Sequence, residues 1–243
     1  MVGLAIPFAV MADEDITIKT RPGVTVELAR RDAKIPAALV LMLPGGQGHL
    51  NLDGRGPTAQ FYRPLMANGL SVVIMDAPSN MSNGLSPRDC EKNEHLEDLK
   101  SVIAHLRKIT SLPIWAWGIS RGALSVGHVA VNEIAGVSGF VFLSSPVRLP
   151  SHAGVTGVAD MALDRIKPPV LAIGHEDDEC RGTPPSGAGR IARGASNSKN
   201  ARSKVISGGS TFGGHICGPE TAHTFNGVEN SVAREIAAFI RSN

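Results

Sequence analysis

"AWGISRGAL" (residues 116–124) sets a serine between two glycines, where an apolar run gives way to an amphipathic one. The run that leads in, "PIWAWGIS" (113–120), is continuous and apolar, as in a strand buried on both faces; "RGALSVGHVAVNEI" (121–134) carries a helical pattern. Ser120 therefore stands at a strand-to-helix turn, the context in which a G-x-S-x-G pattern holds a hydroxyl out as a nucleophile. Such a turn forces the serine backbone into an unfavourable region. Glycines at 118 and 122 remove the Cβ atoms that would collide where helix crosses strand. The competing use of a serine here is to cap the helix.

The same grammar extends outward from this turn. "AALVLMLP" (37–44), "LSVVIMDAP" (70–78), "VSGFVFLSS" (137–145) and "PPVLAIGHEDD" (168–178) are further apolar runs bounded by Gly, Pro or Ser. Helical patterns lie between them: "TAQFYRPLMANG" (58–69), "NEHLEDLKSVIAHLRKI" (93–109) and "ADMALDRIK" (159–167). The second places Leu96, Leu99, Ile103 and Leu106 at spacings of three and four. "DITIKT" and "VTVELARR" alternate apolar and polar around "RPG" and read as a solvated hairpin. "SKVISGG" reads as a last strand before the closing helix "VENSVAREIAAFIRS", and 184–203 as a short helix inside a mobile connection. This alternation predicts an α/β protein with a mostly parallel central sheet of about eight strands and helices on both faces. In such sheets ligands bind beyond the carboxyl ends of the strands.

Composition agrees with one α/β domain over residues 13–243, since no linker or repeat divides the 243 residues. Apolar residues are 42% and aromatics 4%, so the core must be aliphatic. The net charge of +2 is well mixed and forms no basic block, which argues against a nucleic-acid partner. Residues 1–12 contain "VGLAIPFAVMA", about the length of a signal-peptide apolar region and too short to span a bilayer. They are expected to be the remnant of a clipped secretion signal. The expected location is periplasmic or secreted, without stable membrane insertion.

A serine hydroxyl is a weak nucleophile at neutral pH, so a base must take its proton and a third group must orient that base. "HEDDEC" at the end of the run 168–178 and "GGHICGPETAHTFNGVE" before the last helix supply carboxylates and histidines in that order. With "LMLPGGQG", "GISRG", "HEDD" and "AHTF" in sequence, the chain from Asp15 onward resembles the α/β-hydrolase fold family. The resemblance implies Ser120 as nucleophile, His223 as general base and Asp178 as orienting acid, with Asp177 and His215 as the alternatives. It also implies an oxyanion hole from the N–H of Arg121 and that of Gly46 or Gln47 in the "PGGQG" loop. That loop lacks the Lys-Ser/Thr pair of a nucleotide-binding P-loop.

If Asp178 orients His223 as the resemblance implies, their loops converge, and Cys180 and Cys217 are expected to form a disulfide, leaving Cys90 free. No metal and no organic cofactor are expected. The short segment between the runs 137–145 and 168–178 predicts a minimal lid. Leu50, Tyr62, Met81 and Leu85 are the candidates for an acyl pocket, and the remaining histidines, His49 and His95 among them, read as surface or helix-face residues. The implied activity is a serine hydrolase that cleaves small-molecule or polymeric carboxylic esters through an acyl-enzyme. Amide or thioester cleavage by the same machinery and a non-catalytic binding protein of the same fold are the alternatives. The sequence sets no oligomeric state.

Overall fold

The strands of this protein follow from runs too apolar to leave either face in water. The computed structural model describes residues 13–147, 149 and 154–243; the expected signal remnant lies outside them. Eight strands form one sheet: β1 (Glu14–Arg21), β2 (Val24–Arg31), β3 (Ala38–Leu43), β4 (Leu70–Met75), β5 (Ile114–Ile119), β6 (Gly139–Leu143), β7 (Val170–His175) and β8 (Ala201–Ile206). Their spatial order is β1-β2-β4-β3-β5-β6-β7-β8. β1 and β2 are antiparallel, β2 runs antiparallel to β4, and every other neighbouring pair is parallel. β3 to β7 are buried at every position.

Strand periodicity splits that burial between two cores. Leu39, Leu41 and Leu43 of β3 face one core, which is completed by α2 (Asn93–Ile109), α3 (Gly122–Val131) and α4 (Ser186–Gly194). Ala38, Val40 and Met42 face the other, completed by α1 (Pro57–Ala67) and α5 (Glu229–Arg241). Helices thus cover both faces. The largest fully buried side chains are Trp115 and Trp117 on β5. Among the described residues, no helix is long and apolar enough to cross a membrane.

Three expectations need correction. The hairpin is not solvated along both strands: Val26, Leu28 and Ala29 are buried, because β2 bonds to β4 and carries the sheet outward. The stretch expected as a helix over 159–167 forms two 3-10 turns, Val158–Asp160 and Leu163–Arg165. Breaking at Ala162 lets Val158, Leu163 and Ile166 all turn into the core, with Met161 lying over Gly127 of α3. The connection around 184–203 is not loosely held, since α4 buries Ala188 and Ile191 against the sheet. Between β6 and β7 the described residues hold only those two turns, with no lid.

Candidate active site

The loops after β3, β5, β7 and β8 all leave the same edge of the sheet, and the chemistry-bearing side chains gather there. β5 ends at Ile119, Ser120 enters the left-handed region at φ 51°, and α3 begins at Gly122. A serine held there costs about 1–3 kcal/mol and persists only where its surroundings dictate it. Its N–H donates to Leu143 O at the end of β6 (3.0 Å), and its carbonyl accepts from Ala123 N–H (3.0 Å). The flanking glycines are needed for space. A Cβ on Gly118 would lie 2.6 Å from Gly122 O, and one on Gly122 would lie 2.0 Å from Leu43 O.

Asp178 lies three residues past the end of β7, its carboxylate fully buried. Oδ1 accepts Cys180 N–H (2.9 Å) and Oδ2 accepts the Thr183 hydroxyl (2.9 Å). His223 sits in a 3-10 turn, Ala222–Thr224, capped reciprocally by Thr221 and Thr224 and closed by Phe225 at φ 60°. Its Nδ1 is 3.0 and 3.2 Å from the two oxygens of Asp178 and 3.1 Å from Thr183 Oγ1. A carboxylate facing Nδ1 places the imidazole hydrogen there and leaves Nε2 as the basic nitrogen. Nε2 is buried and has no hydrogen-bond partner among the described residues, Ser120 included. Ser120 and His223 nonetheless line one cleft of about 350 Å³, together with Gly45, Gly46 and Gln47. A catalytic hydrogen bond that is open in the free enzyme commonly tightens only with substrate in place.

Asp178, and not Asp177, is brought to His223; Asp177 is exposed and uses its N–H on His175 Nδ1 (3.1 Å). His215 is exposed, with Nδ1 accepting Cys217 N–H (3.2 Å), and it is not on the cleft lining. Cys180 and Cys217 are joined by a disulfide with Cα atoms 4.9 Å apart, while Cys90 is a free buried thiol that burial pushes up to about 11. Among the described residues one group resembles a metal-binding set, Asp178, Cys180 and His223 with ligand atoms within 4.8 Å of one another. The Cys180 sulfur is committed to the disulfide and offers no thiolate, so the set does not suit a metal.

No protein-family model matches the sequence, and no curated protein matches it. Solved structures do. Est1E of Butyrivibrio proteoclasticus is similar at 16% identity and a TM-score of 0.67, over 94% of this chain and 99% of that one. A lidless α/β serine hydrolase of Xanthomonas campestris is similar at 16% identity and a TM-score of 0.65, over 98% of this chain and 97% of that one. A dienelactone hydrolase of Anabaena variabilis is similar at 15% identity and a TM-score of 0.61, over 95% of this chain and 98% of that one. The chain has the α/β-hydrolase fold.

Within this α/β-hydrolase fold, the loop after β3 is propped from below. Leu85 N–H donates to Gln47 O (2.8 Å), and the Arg121 guanidinium donates to Leu85 O (2.7 Å). Gly46 takes φ +60°, and among the described residues no intramolecular hydrogen bond uses the N–H groups of Gly46, Gln47 or Arg121. The four residues expected to form an acyl pocket are not on the cleft lining. Leu85 is buried beneath Gly48, Tyr62 is buried on the inner face of α1, and Met81 and Leu50 pack onto the two cores. Apolar side chains on loops near a mouth turn inward because that is how the loops are held.

Three residues given no role from the sequence belong to this site. Thr183 bonds both Asp178 and His223. His175, read only as part of a run-out, accepts Asp177 N–H with Nδ1 and donates from Nε2 to Gly208 O (2.9 Å); its ring also lies edge-on to Phe225, at 5.8 Å. It ties the turn that carries Asp178 to the loop that leads to His223. His49, expected on the surface, lines the cleft, with Nδ1 3.4 Å from Asp76 Oδ1. No local sequence signal marks Thr183 or His49, because the His223 that Thr183 faces is 40 residues away in the chain and the Asp76 that His49 faces is 27.

Proposed function

We propose that this protein is a serine hydrolase that cleaves carboxylic esters through an acyl-enzyme. The observation that carries the reading is His223, whose Nδ1 is held by Asp178 while its buried Nε2 is unpartnered in the cleft that Ser120 lines. Ser120 Oγ attacks the acyl carbon as His223 Nε2 takes its proton, and Asp178 stabilises the imidazolium that results. The tetrahedral oxyanion is met by the N–H groups of Arg121 and of Gly46 or Gln47, donors that make no bond among the described residues. A donor of this kind is worth about 10²–10³ in kcat. Collapse breaks the bond to the leaving alcohol, which departs with the proton held on Nε2. Water, deprotonated by the same nitrogen, then attacks the ester on Ser120, releasing the acid and restoring the hydroxyl.

The steps need no metal or organic cofactor. A site open at the sheet edge, without a lid among the described residues, favours small esters or esters carried on a polymer over long sheltered acyl chains. The Cys180–Cys217 disulfide supports a periplasmic or secreted location, where such bonds persist. The test is turnover of a panel of nitrophenyl esters, amides and thioesters. Esters are expected to be cleaved fastest, with kcat in Ser120→Ala and His223→Ala down by about 10⁴ or more. Equal turnover by wild type and Ser120→Ala would refute the reading.

A further inference from the structure

We propose that the substrate is a short-chain acyl ester of a polyhydroxylated, sugar-like alcohol, whose hydroxyl groups are held by Gln47, His49 and Asn51. This rests on the esterase reading and names the substrate class of the same cleft. The cleft lining contains no Leu, Ile, Val, Met, Phe, Tyr or Trp among the described residues. Its walls are glycine backbone, proline rings, the disulfide-bonded Cys217 and polar side chains. A long acyl chain gains affinity by packing along large apolar side chains away from water, and here it would meet proline and glycine carbons instead. An acetyl-sized group needs no such wall.

Gln47, His49 and Asn51 lie on one loop within five residues, directly after the glycines nearest Ser120. The side chains of Gln47 and Asn51 are exposed and each offers two donors and one acceptor. His49 is set by Asp76, whose Oδ1 is itself held by Leu50 N–H (2.9 Å) and Ala77 N–H (2.8 Å). That carboxylate places the His49 hydrogen on Nδ1 and leaves Nε2 as an acceptor. Each sugar hydroxyl both donates and accepts, so an amide, an imidazole acceptor and a second amide in sequence match adjacent hydroxyls. The lining contains no Lys, Arg, Asp or Glu to meet a charged substrate group.

The experiment measures kcat/KM of wild type, Asn51→Leu and His49→Leu on nitrophenyl acetate, nitrophenyl octanoate and an acetylated methyl glucoside, with melting curves to verify folding. The expected result is nitrophenyl acetate preferred over the octanoate by at least 100-fold. In both variants the ratio of kcat/KM on the glucoside to that on nitrophenyl acetate is expected to fall at least tenfold, through KM. Unacetylated methyl glucoside should inhibit the wild type competitively and the variants more weakly. Preference for the octanoate, or an unchanged ratio in both folded variants, overturns the inference while leaving the esterase reading intact. Failure to cleave any ester overturns both.

Discussion

Thr183 places one hydroxyl against both members of the imidazole–carboxylate pair, 2.9 Å from Asp178 Oδ2 and 3.1 Å from His223 Nδ1. Asp178 is fully buried, so each donor that faces it offsets part of the cost of keeping a charge away from water. Losing one leaves a buried acceptor short of a partner, at about 1–3 kcal/mol, and frees the ring it orients. Thr183→Val is accordingly expected to lower kcat about ten- to a hundredfold with KM nearly unchanged, and Thr183→Ser to restore most of it. A fall in KM-dependent binding alone, or no rescue by serine, would remove Thr183 from the positioning role. At this scale the sequence was legible where a motif reports a backbone constraint: Gly118, Ser120 and Gly122 are required by one tight turn, and that turn is where they were expected. It was silent on Thr183 and His49, which are ordinary residues until distant segments meet, and misleading on Tyr62 and Leu85, whose direction a linear pattern does not carry.

The helix with the strongest periodicity, α2 at 93–109, was read with its bounds intact, because its buried Leu96, Leu99, Ile103 and Leu106 form one stripe. The failure at 159–167 came from tertiary packing, which overrode a short, weak pattern. α2 also carries a feature that hydropathy does not reveal. His95 is buried and bonded through Nε2 to Ser125 Oγ on α3 (2.9 Å), and burial lowers its pKa from 6.5 to about 4. Burial lowers that of His128, on α3, as well. A histidine whose folded pKa is depressed contributes stability that is fully present above the unfolded value and is lost as protons bind the unfolded chain. Stability is therefore expected to fall as pH drops from about 6.5 towards 4, by about 3 kcal/mol from His95. Urea midpoints across that range measure the loss, which should be smaller in His95→Gln than in the wild type. Parallel losses in the two proteins would contradict the assignment to His95.

Across the whole molecule, Asp178 and His223 arrive from different connections of one sheet, and Thr183 and His175 help bring their two loops into register. The disulfide does so directly: Cys180 N–H holds Asp178 Oδ1, and its sulfur is bonded to Cys217 on the loop that leads to His223. Closing a loop of 37 residues of sequence separation is worth about 4 kcal/mol by chain entropy. Reduction is expected to lower the melting temperature and the hydrolytic rate together, and Cys217→Ser to reproduce both; a melting temperature indifferent to reductant would count against the clamp. The parallel sheet itself was legible because five apolar runs leave no other way to bury both faces, whereas the course of the loop from Ser207 to Glu220 was not, because its conformation is set by glycines and by the cysteine that pins it. The proposed function requires these segments to converge so that Ser120 acts as a nucleophile. Incubating the protein with an active-site-directed fluorophosphonate and locating the adduct by mass spectrometry tests this. One equivalent on Ser120, absent in Ser120→Ala and formed far more slowly in His223→Ala, is the expected result; an unlabelled wild type, or an adduct on another residue, would contradict it.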